Sequence, residues 1–253
     1  NPDGLMAVAI DLGFPIIRND KLNITVYAQA AKMLGKTQDP DTGDEEPLGI
    51  GLIPFGVSSW FGPLHFIFEY RSIPEGRFEF SYWNRLYEIE RVGFLRNNSN
   101  QVVLRTKESQ LGKFGDQNGY FSRVSLDVGA FFEANMAYNN MVGSLWSNDD
   151  KKFIMEKNQT FLTSLKLTKS ISRIQSASAF YQQRNVPNPF KFKYTESTII
   201  GCRLGISMGQ GLVLNYIFRR TFRDYNANGR IDGNAETIDT VSYTHLRAHE
   251  TVV

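Results

Sequence analysis

The feature that most constrains this chain is an alternation of apolar and polar residues that recurs in many segments. In Leu5–Phe14 every second residue is apolar, and the residues between them are small or polar. Lys21–Ala31 repeats the pattern with a wholly apolar face. Side chains of a β-strand point alternately to two faces, whereas those of a helix repeat about every 3.6 residues. A period of two held over ten residues therefore predicts strands.

The same alternation predicts strands along the rest of the chain. They are Leu64–Arg71, Arg77–Trp83, Val124–Met136, Ile200–Met208 and Leu212–Thr221, with weaker candidates at Gly49–Phe61, Gln159–Ser170, Arg173–Gln183 and Thr237–Ser242. Short turn sequences lie at Arg18–Asp20, Phe61–Pro63, Pro74–Gly76 and Gly209–Gly211, and longer polar segments at Lys36–Pro47, Phe94–Gly119, Asn139–Asn158 and Tyr225–Ala235. The expected fold is all-β, an antiparallel up-and-down transmembrane β-barrel of about ten to twelve strands in one domain, residues 1–242.

Composition excludes several classes of protein. Hydrophobic residues make up 42% and charged residues 21%, which is typical of a folded chain rather than a disordered one. The formal net charge of +2 gives no reason to expect a nucleic-acid partner. Cys202 is the single cysteine, so an internal disulfide is impossible, and its place in an apolar row indicates a small hydrophobic residue. No window reaches the roughly 18 apolar residues of a membrane helix.

Alternation alone does not decide which face meets water. In a soluble sandwich or barrel the apolar face points inward, whereas in a membrane barrel it meets lipid and the polar face lines the lumen. Three features favour lipid: long apolar rows without a charge, aromatic residues near the ends of those rows, and polar faces that mix small residues with both charge signs. Aromatic residues reach 13% of the chain, as expected of interfacial belts.

The layout of strands, short turns and longer loops resembles that of bacterial outer-membrane β-barrel proteins over nearly the whole chain. The resemblance is architectural and points to no single family. It implies export across the inner membrane, assembly by the barrel-assembly machinery and contact with outer-membrane lipid, but names no solute. The oligomeric state is left open. A start at Asn1, close to a strand, is expected of a mature protein or of a fragment.

The last segment, Tyr243–Val253, differs from the rest and resembles a translated sequencing adapter. We therefore expect residues 243–253 to be a non-native tail, which leaves His65 as the one native histidine. On this interpretation the last native strand is cut short near Ser242.

Charged residues on the polar rows form the first candidate site. They are Asp11, Glu69, Arg71, Arg77, Glu79, Asp127, Glu133, Arg203 and Arg219. In a barrel they would line the lumen, where they would set ion selectivity or bind a solute. The structural alternative is a salt-bridged interior that fills a narrow barrel.

A second candidate begins with the segment from Asp224 to Asp232, which resembles the first nine positions of an EF-hand calcium loop. Candidate oxygen ligands are Asp224, Asn226, Asn228, Asp232 and Glu236. Gly229 occupies the position of the sharp turn, but Ala235 stands where the bidentate acid is expected, and Glu236 follows one residue later. The alternatives are a Ca²⁺ ion that braces an exposed loop and an Asn/Gly-rich turn that binds nothing.

No enzyme motif appears. His65 is the one candidate general base, with Ser58, Ser59 or Glu69 near it in sequence. The leading functional hypothesis is a passive channel or transporter for small polar solutes. The alternatives are a closed structural or adhesion-type barrel that acts through its long loops, and a soluble lipid-binding β-barrel.

Overall fold

The computed structural model describes residues 5–80, 82–83, 87, 91–96, 102–129, 131–209, 212–225 and 230–247. In this part of the chain, eleven strands form one antiparallel sheet in which each strand pairs with the next one along the chain. In sheet order the strands are β1 (Met6–Arg18), β2 (Leu22–Leu34), β5 (Ile50–Phe61), β6 (Leu64–Ile73), β9 (Phe114–Val128), β10 (Phe132–Ser147), β11 (Lys152–Leu167), β12 (Ile174–Val186), β13 (Thr198–Gly209), β14 (Leu212–Phe222) and β15 (Thr237–Arg247). The prediction of an all-β, antiparallel meander of ten to twelve strands is confirmed.

The connections fall into two groups at opposite ends of the sheet. At one end, here called the short-turn end, the links are brief, such as residues 19–21, 62–63 and 129–131. At the other, the long-loop end, the links are residues 35–49, 74–113, 148–151, 187–197 and 223–236. Gly62 and Gly129 have φ of 54° and 45°, which places both in the left-handed region that glycine tolerates in tight turns.

Smaller elements lie within the long loops. β3 (Lys36–Gln38) pairs with β4 (Glu45–Pro47), and β7 (Val92–Arg96) pairs with β8 (Val102–Thr106). Short 3-10 helices occupy Glu108–Lys113, Pro189–Lys191 and Gly233–Glu236. None of the helical segments in the described residues has the length and apolar character needed to span a membrane.

The sheet is open in this structure, with β1 and β15 as its edges. Because the meander has an odd number of strands, β1 and β15 run in the same direction. All thirteen residues of β1 are exposed. The accessible surface of the chain is 16321 Å², whereas a compact protein of this mass exposes about 11,000 Å². Much of the apolar surface is therefore outside any core of the chain itself.

The main hydrophobic core lies at the long-loop end, where described residues of the link 74–113 pack against the sheet. Its buried members are Met33, Leu48, Ile73, Phe78, Tyr82, Leu111 and Met141. Met33, Ile73 and Met141 come from strands, whereas Phe78, Tyr82 and Leu111 come from the loop that joins β6 to β9. The core thus holds this loop on one face of the sheet.

The predicted strand Arg77–Trp83 is wrong, because its described residues belong to that loop. Arg77 has a φ of 50°, its N–H donates to Phe114 O at 2.6 Å, and its carbonyl accepts from Gly49 N–H at 3.0 Å. These bonds link Arg77 to the start of β9 and to the residue that precedes β5, and Arg77 belongs to no strand of the described residues. Phe78 and Tyr82 alternate because they pack into the core, not because they line a strand face.

Two further boundaries differ from the prediction. Val124–Met136 is not one strand, because a turn that includes Gly129 and Phe131 separates β9 from β10. Val128 pairs with Phe132 across this turn, so the apolar row continues on the same face and conceals the break. The expected loop Asn139–Asn158 is instead mostly a hairpin, with residues 148–151 as its turn. Polar residues there stand on strands and pair across the ladder.

Candidate functional site

The pairing register divides the sheet into two faces of different chemistry. Residues directly opposite in an antiparallel pair point to the same face, so the register assigns a face to every residue. The polar face is the one that carries Glu69 and Arg71, and the apolar face carries Phe66 and Phe68. Seven of the nine charged residues predicted for the lumen lie on the polar face: Asp11, Glu69, Arg71, Asp127, Glu133, Arg203 and Arg219.

Charges of opposite sign are separated along one row of the polar face. Asp127 pairs with Glu133, Glu133 with Lys166, Lys166 with Ser178, and Ser178 with Arg203. The acids therefore stand on β9 and β10, and the bases on β11 and β13. Asp127, Lys166 and Arg203 are exposed, so solvent reaches this part of the polar face.

Nearer the long-loop end, the polar face holds a buried ion pair. The Arg71 guanidinium donates to Glu69 Oε2 through Nε at 2.7 Å, and its Nη2 lies 2.6 Å from the same oxygen. Tyr27 Oη donates to Glu69 Oε1 at 2.6 Å, and Arg71 Nη1 donates to Asn139 at 3.1 Å. Exposure is 7% for Glu69 and 8% for Arg71. These bonds satisfy both charges, as burial requires.

Aromatic rings enclose the Arg71 guanidinium on two sides. Its central carbon lies 3.9 Å from the ring centre of Phe121 on β9 and 4.6 Å from that of Phe80 in the loop. A guanidinium in contact with ring faces is attracted by their negative charge density. Arg71 thereby joins Phe80, in the link between β6 and β9, to the polar face.

A second ion pair attaches the same loop to β12. Glu79 contacts the Arg184 guanidinium, and Lys107 Nζ lies 3.8 Å from the other oxygen of Glu79. Lys107 Nζ also donates to Tyr82 O at 2.7 Å. All three charged side chains are largely buried. Glu79 thus faces the polar side of the sheet from a loop rather than from a strand.

Arg77 has a different place from the one predicted. Its Nε donates to Pro47 O at 2.8 Å, and it contributes to the rim formed by the loops at the long-loop end. It lies beside a cavity of about 310 Å³ that Asp39, Glu75 and Asp116 also line. Arg77 therefore links the segment between β6 and β9 to the segment between β2 and β5. It does not belong to the charged residues on the polar face of the strands.

His65 lies on the polar face in contact with Ser58. Ser58 Oγ and His65 Nε2 are 2.9 Å apart, and the Trp60 ring stacks on the imidazole with ring centres 3.8 Å apart. A hydrolytic serine also needs a group that orients its histidine. Within the described residues, Ser58 is the only hydrogen-bond partner of the His65 ring. The expectation that the chain is not an enzyme stays a prediction.

The calcium-like loop is held by its last candidate ligand. Glu236 is 4% exposed, and its carboxylate accepts from Tyr225 N–H at 3.2 Å and from Asp232 N–H at 2.6 Å. The Asp224 N–H donates to Glu196 at 3.2 Å. Asn226 and Asn228 lie outside the described residues. Among the described residues, no three acidic, histidine or cysteine side chains are placed to hold a metal. Calcium binding stays a prediction.

The apolar face carries a band that, on each strand from β6 to β14, ends at the same kind of boundary. Toward the long-loop end, an aromatic or aliphatic residue is followed two positions on by a polar one. From β6 to β14 the apolar residues at this boundary are Tyr70, Tyr120, Tyr138, Phe161, Tyr181, Ile200 and Phe218, and the polar residues that follow them two positions on are Ser72, Asn118, Asn140, Gln159, Gln183, Thr198 and Arg220. On the short-turn side of this boundary, the residues of the band are exposed or half-buried.

This boundary runs obliquely to the hydrogen bonds of the sheet. Tyr70 pairs with Tyr120, but Tyr120 pairs with Asn140, so the boundary at Tyr138 is displaced by two residues. Equal displacements occur between β11 and β12 and between β13 and β14. The boundary therefore shifts by six residues over six strand-to-strand steps. With about 3.4 Å per residue and about 4.8 Å between strands, the boundary is inclined by about 35° to the hydrogen-bond direction.

Comparisons with known protein families, with curated proteins and with solved structures gave no match to this chain. Function is therefore inferred from the geometry of the sheet alone.

Several site residues were not among the sequence-based candidates. Tyr27 and Asn139 complete the Glu69–Arg71 pair, and Arg184 and Lys107 bind Glu79. Tyr27 lies in the polar row of β2, so the alternation in the sequence could have identified it. Arg184 and Lys107 meet Glu79 through the folded loop, which no local pattern indicates.

Proposed function

We propose that this chain forms a β-barrel of the bacterial outer membrane, in which small polar solutes pass along the polar face of the sheet. The observation that carries the proposal is the oblique apolar band. Strands in outer-membrane barrels tilt by about 35–45° from the barrel axis. A membrane surface therefore crosses successive strands at shifted register positions, as the boundary from Tyr70 to Phe218 does.

Strand lengths support the same interpretation. The eleven strands that form the sheet in the described residues contain ten to sixteen residues each, and a tilted transmembrane strand needs about 9–11. The apolar residues on β1 and β6 are exposed over most of the band, with Leu12 at 69% and Phe14 at 70%. In water such a surface would be unfavourable, whereas in lipid it is the expected exterior.

The row of separated charges supports passage of polar solutes. Acids at Asp127 and Glu133 and bases at Lys166 and Arg203 would create a field across the interior, which favours ions and dipolar molecules. Solvent reaches this row from the short-turn end. Near the long-loop end, residues 74–113 and the core around Tyr82 would obstruct the interior. We therefore propose that the passage is closed at that end in the conformation described.

That obstruction also favours a second candidate function. If the loop never leaves the polar face, the chain would be a closed structural or adhesion-type barrel that acts through its long loops. The observation in favour is the buried core that Phe78, Tyr82 and Leu111 form with the sheet. Electrical conductance separates the two candidates, because only the first predicts ion flow.

Closure of the sheet is part of the proposal. β1 and β15 run in the same direction, so their direct pairing would be parallel. Closure by antiparallel pairs alone needs an odd number of further strands between them. Either arrangement would remove the unpaired edges, which otherwise promote association with other strands.

The first test is mobility in SDS gels, heated against unheated, after refolding in detergent micelles. A closed membrane barrel resists SDS until it is boiled, so we expect a heat-dependent shift. A folded monomer in plain buffer, with no shift, would contradict the proposal and make the chain a soluble β-protein. Conductance in planar bilayers then tests passage. The double change Arg203→Glu and Arg219→Glu should shift selectivity toward cations, and unchanged selectivity would remove these residues from the passage.

A further inference from the structure

The loop between β12 and β13, residues 187–197, folds back over the apolar face. Phe190 lies 5.1 Å from Tyr138 and 5.4 Å from Phe161, measured between ring centres. Phe192 lies 5.8 Å from Tyr181, and the Tyr194 ring stacks on Phe222 at 4.5 Å. Tyr138, Phe161 and Tyr181 are the residues at which the apolar band gives way to a polar residue on their strands. The loop therefore sits at the boundary of the apolar band.

Hydrogen bonds and buried residues hold this loop in place. Gln183 Nε2 donates to Lys193 O at 2.6 Å, and the Phe190 N–H donates to the Asn188 side chain at 3.0 Å. Thr195 N–H donates to Thr198 Oγ1 at 3.0 Å. Gln183 is 1% exposed, so the loop also covers a polar side chain at the end of the apolar face. The loop is a defined structure rather than a loose connection.

Aromatic and cationic residues alternate along the exposed side of the loop. The sequence from 190 to 194 is Phe-Lys-Phe-Lys-Tyr, and all five residues are exposed. Phe190 is 50% exposed, Phe192 57% and Tyr194 47%. Phe192 adopts a left-handed conformation with φ of 49°, which is unfavourable for a non-glycine residue. Its ring is thereby placed on the outside of the molecule, next to Lys191 and Lys193.

A small apolar cavity lies between the loop and the sheet. It measures about 140 Å³ and is lined by Ser122, Val124, Met136, Tyr138, Phe161 and Phe190. Five of its six lining residues are apolar or aromatic, and none is charged. The cavity suits a short length of hydrocarbon, because several methylene groups fill such a volume.

We propose that residues 187–197 form a binding site for a membrane lipid whose head group carries an anionic phosphate. Lys191 and Lys193 would contact the phosphate, Phe192 and Tyr194 would lie at head-group depth, and the cavity beside Phe190 would receive part of an acyl chain. Charge complementarity identifies the lipid class, since both lysines are exposed at the edge of an apolar surface. The inference rests on the proposed membrane location of the apolar band.

The test compares lipid retention by the full chain after insertion into two kinds of vesicle. One kind is phosphatidylcholine alone, and the other is an equal mixture of phosphatidylcholine and phosphatidylglycerol. Lipid that stays bound after mild detergent extraction is counted by native mass spectrometry. We expect wild type to retain phosphatidylglycerol in preference, and Lys191→Gln with Lys193→Gln to lower that preference about tenfold. Lys151→Gln with Lys152→Gln, where the β10–β11 turn meets β11 at the same end, is the matched control.

Several outcomes would overturn the inference. One is a wild-type chain that inserts but shows no preference, or a double variant that keeps it. If inorganic phosphate displaces the bound phosphatidylglycerol, the loop is a simple anion site and not a lipid site. A chain that never enters vesicles and shows no heat-dependent gel shift would overturn the proposed function, and the lipid site with it. A second variant, Phe190→Ala, should weaken retention of both lipids without changing their ratio, because it opens the cavity but keeps the lysines.

Discussion

Replacement of Arg71 should strongly destabilise the fold. Arg71→Met would leave Glu69 buried with Tyr27 as its remaining partner, and removal of one member of a buried pair costs about 3–5 kcal/mol. Lys36 pairs with Glu45 at 3.2 Å on an exposed surface, so Lys36→Gln should cost less than about 1 kcal/mol. The free energy of unfolding, from urea titration in micelles followed by tryptophan fluorescence, checks both. Similar losses for the two variants would show that the Glu69–Arg71 pair is not buried.

Tyr82 and Tyr27 should respond in opposite ways to loss of their hydroxyl groups. Within the described residues, the buried Tyr82 hydroxyl has no hydrogen-bond partner, so Tyr82→Phe should be neutral or stabilising. Tyr27→Phe should cost about 1.5–3 kcal/mol, because it removes a hydrogen bond to the Glu69 carboxylate. The same unfolding measurement distinguishes them. A marked loss of stability in Tyr82→Phe would mean that its hydroxyl has a partner.

Tyr82 should also make the stability of the fold depend on pH. Burial raises the pKa of the Tyr82 hydroxyl above its ordinary value of 10.0. The neutral form is thus favoured in the fold, and its contribution to stability is complete below pH 10.0 and is lost as the pH rises above that value. Tyr82→Phe should reduce this alkaline loss. An identical alkaline profile in wild type and variant would contradict the assignment.

At the scale of elements, the ion pair between Glu79 and Arg184 should control whether residues 74–113 stay on the polar face. Arg184→Gln removes a buried partner of Glu79 and should favour release of the loop. If the proposed channel exists, single-channel recordings should show at least about a tenfold rise in open probability, since about 1.4 kcal/mol already changes a population ratio tenfold. Arg173→Gln, in the turn between β11 and β12, is the matched control.

An open probability that is the same in Arg184→Gln as in wild type would indicate that the core around Phe78 and Tyr82 holds the loop without the ion pair. A rise in both Arg184→Gln and Arg173→Gln would point to a general change in interior charge instead.

Strands were more predictable than loops because their signal is local. The alternation in Leu5–Phe14 and Lys21–Ala31 led directly to β1 and β2, since each residue type follows from the face it occupies. Alternation gave wrong strands where core packing or a tight turn, rather than a single strand, produced the pattern. Phe78 and Tyr82 alternate because they enter the core, and the row from Val124 to Met136 passes through a turn that preserves the face.

The charged rows on β6, β9, β10, β13 and β14 were predicted for the same local reason. The attachment of Glu79 to Arg184 was not, because it joins residues 105 positions apart in sequence. The place of the loop at residues 187–197 was not predicted either, because its short alternation from Phe190 to Tyr194 does not indicate where the loop packs. Its position on the apolar face follows from tertiary contacts with Tyr138 and Phe161.

At the scale of the whole molecule, the two faces should respond differently to a new charge. Leu204 lies on the apolar face of β13, opposite Ala177 and Tyr216. Leu204→Arg should cost about 2–4 kcal/mol if this face meets the lipid midplane. Ser207→Arg, on the polar face of the same strand, should cost much less. The fraction of protein that shows the heat-dependent gel shift after refolding measures both effects.

If Leu204→Arg refolds as well as wild type, the apolar face does not meet lipid. A loss in Ser207→Arg alone would place the packed interior on the polar face and favour a soluble barrel.

Because the sheet has an odd number of strands, β1 begins and β15 ends at opposite ends of the sheet. Met6 begins β1 at the long-loop end, whereas Arg247 ends β15 at the short-turn end. In a sheet that spans a membrane, these two positions would open into different aqueous compartments. Two labels on one molecule, one near each position, would therefore report opposite sides, and a protease added outside sealed vesicles should remove one label and spare the other.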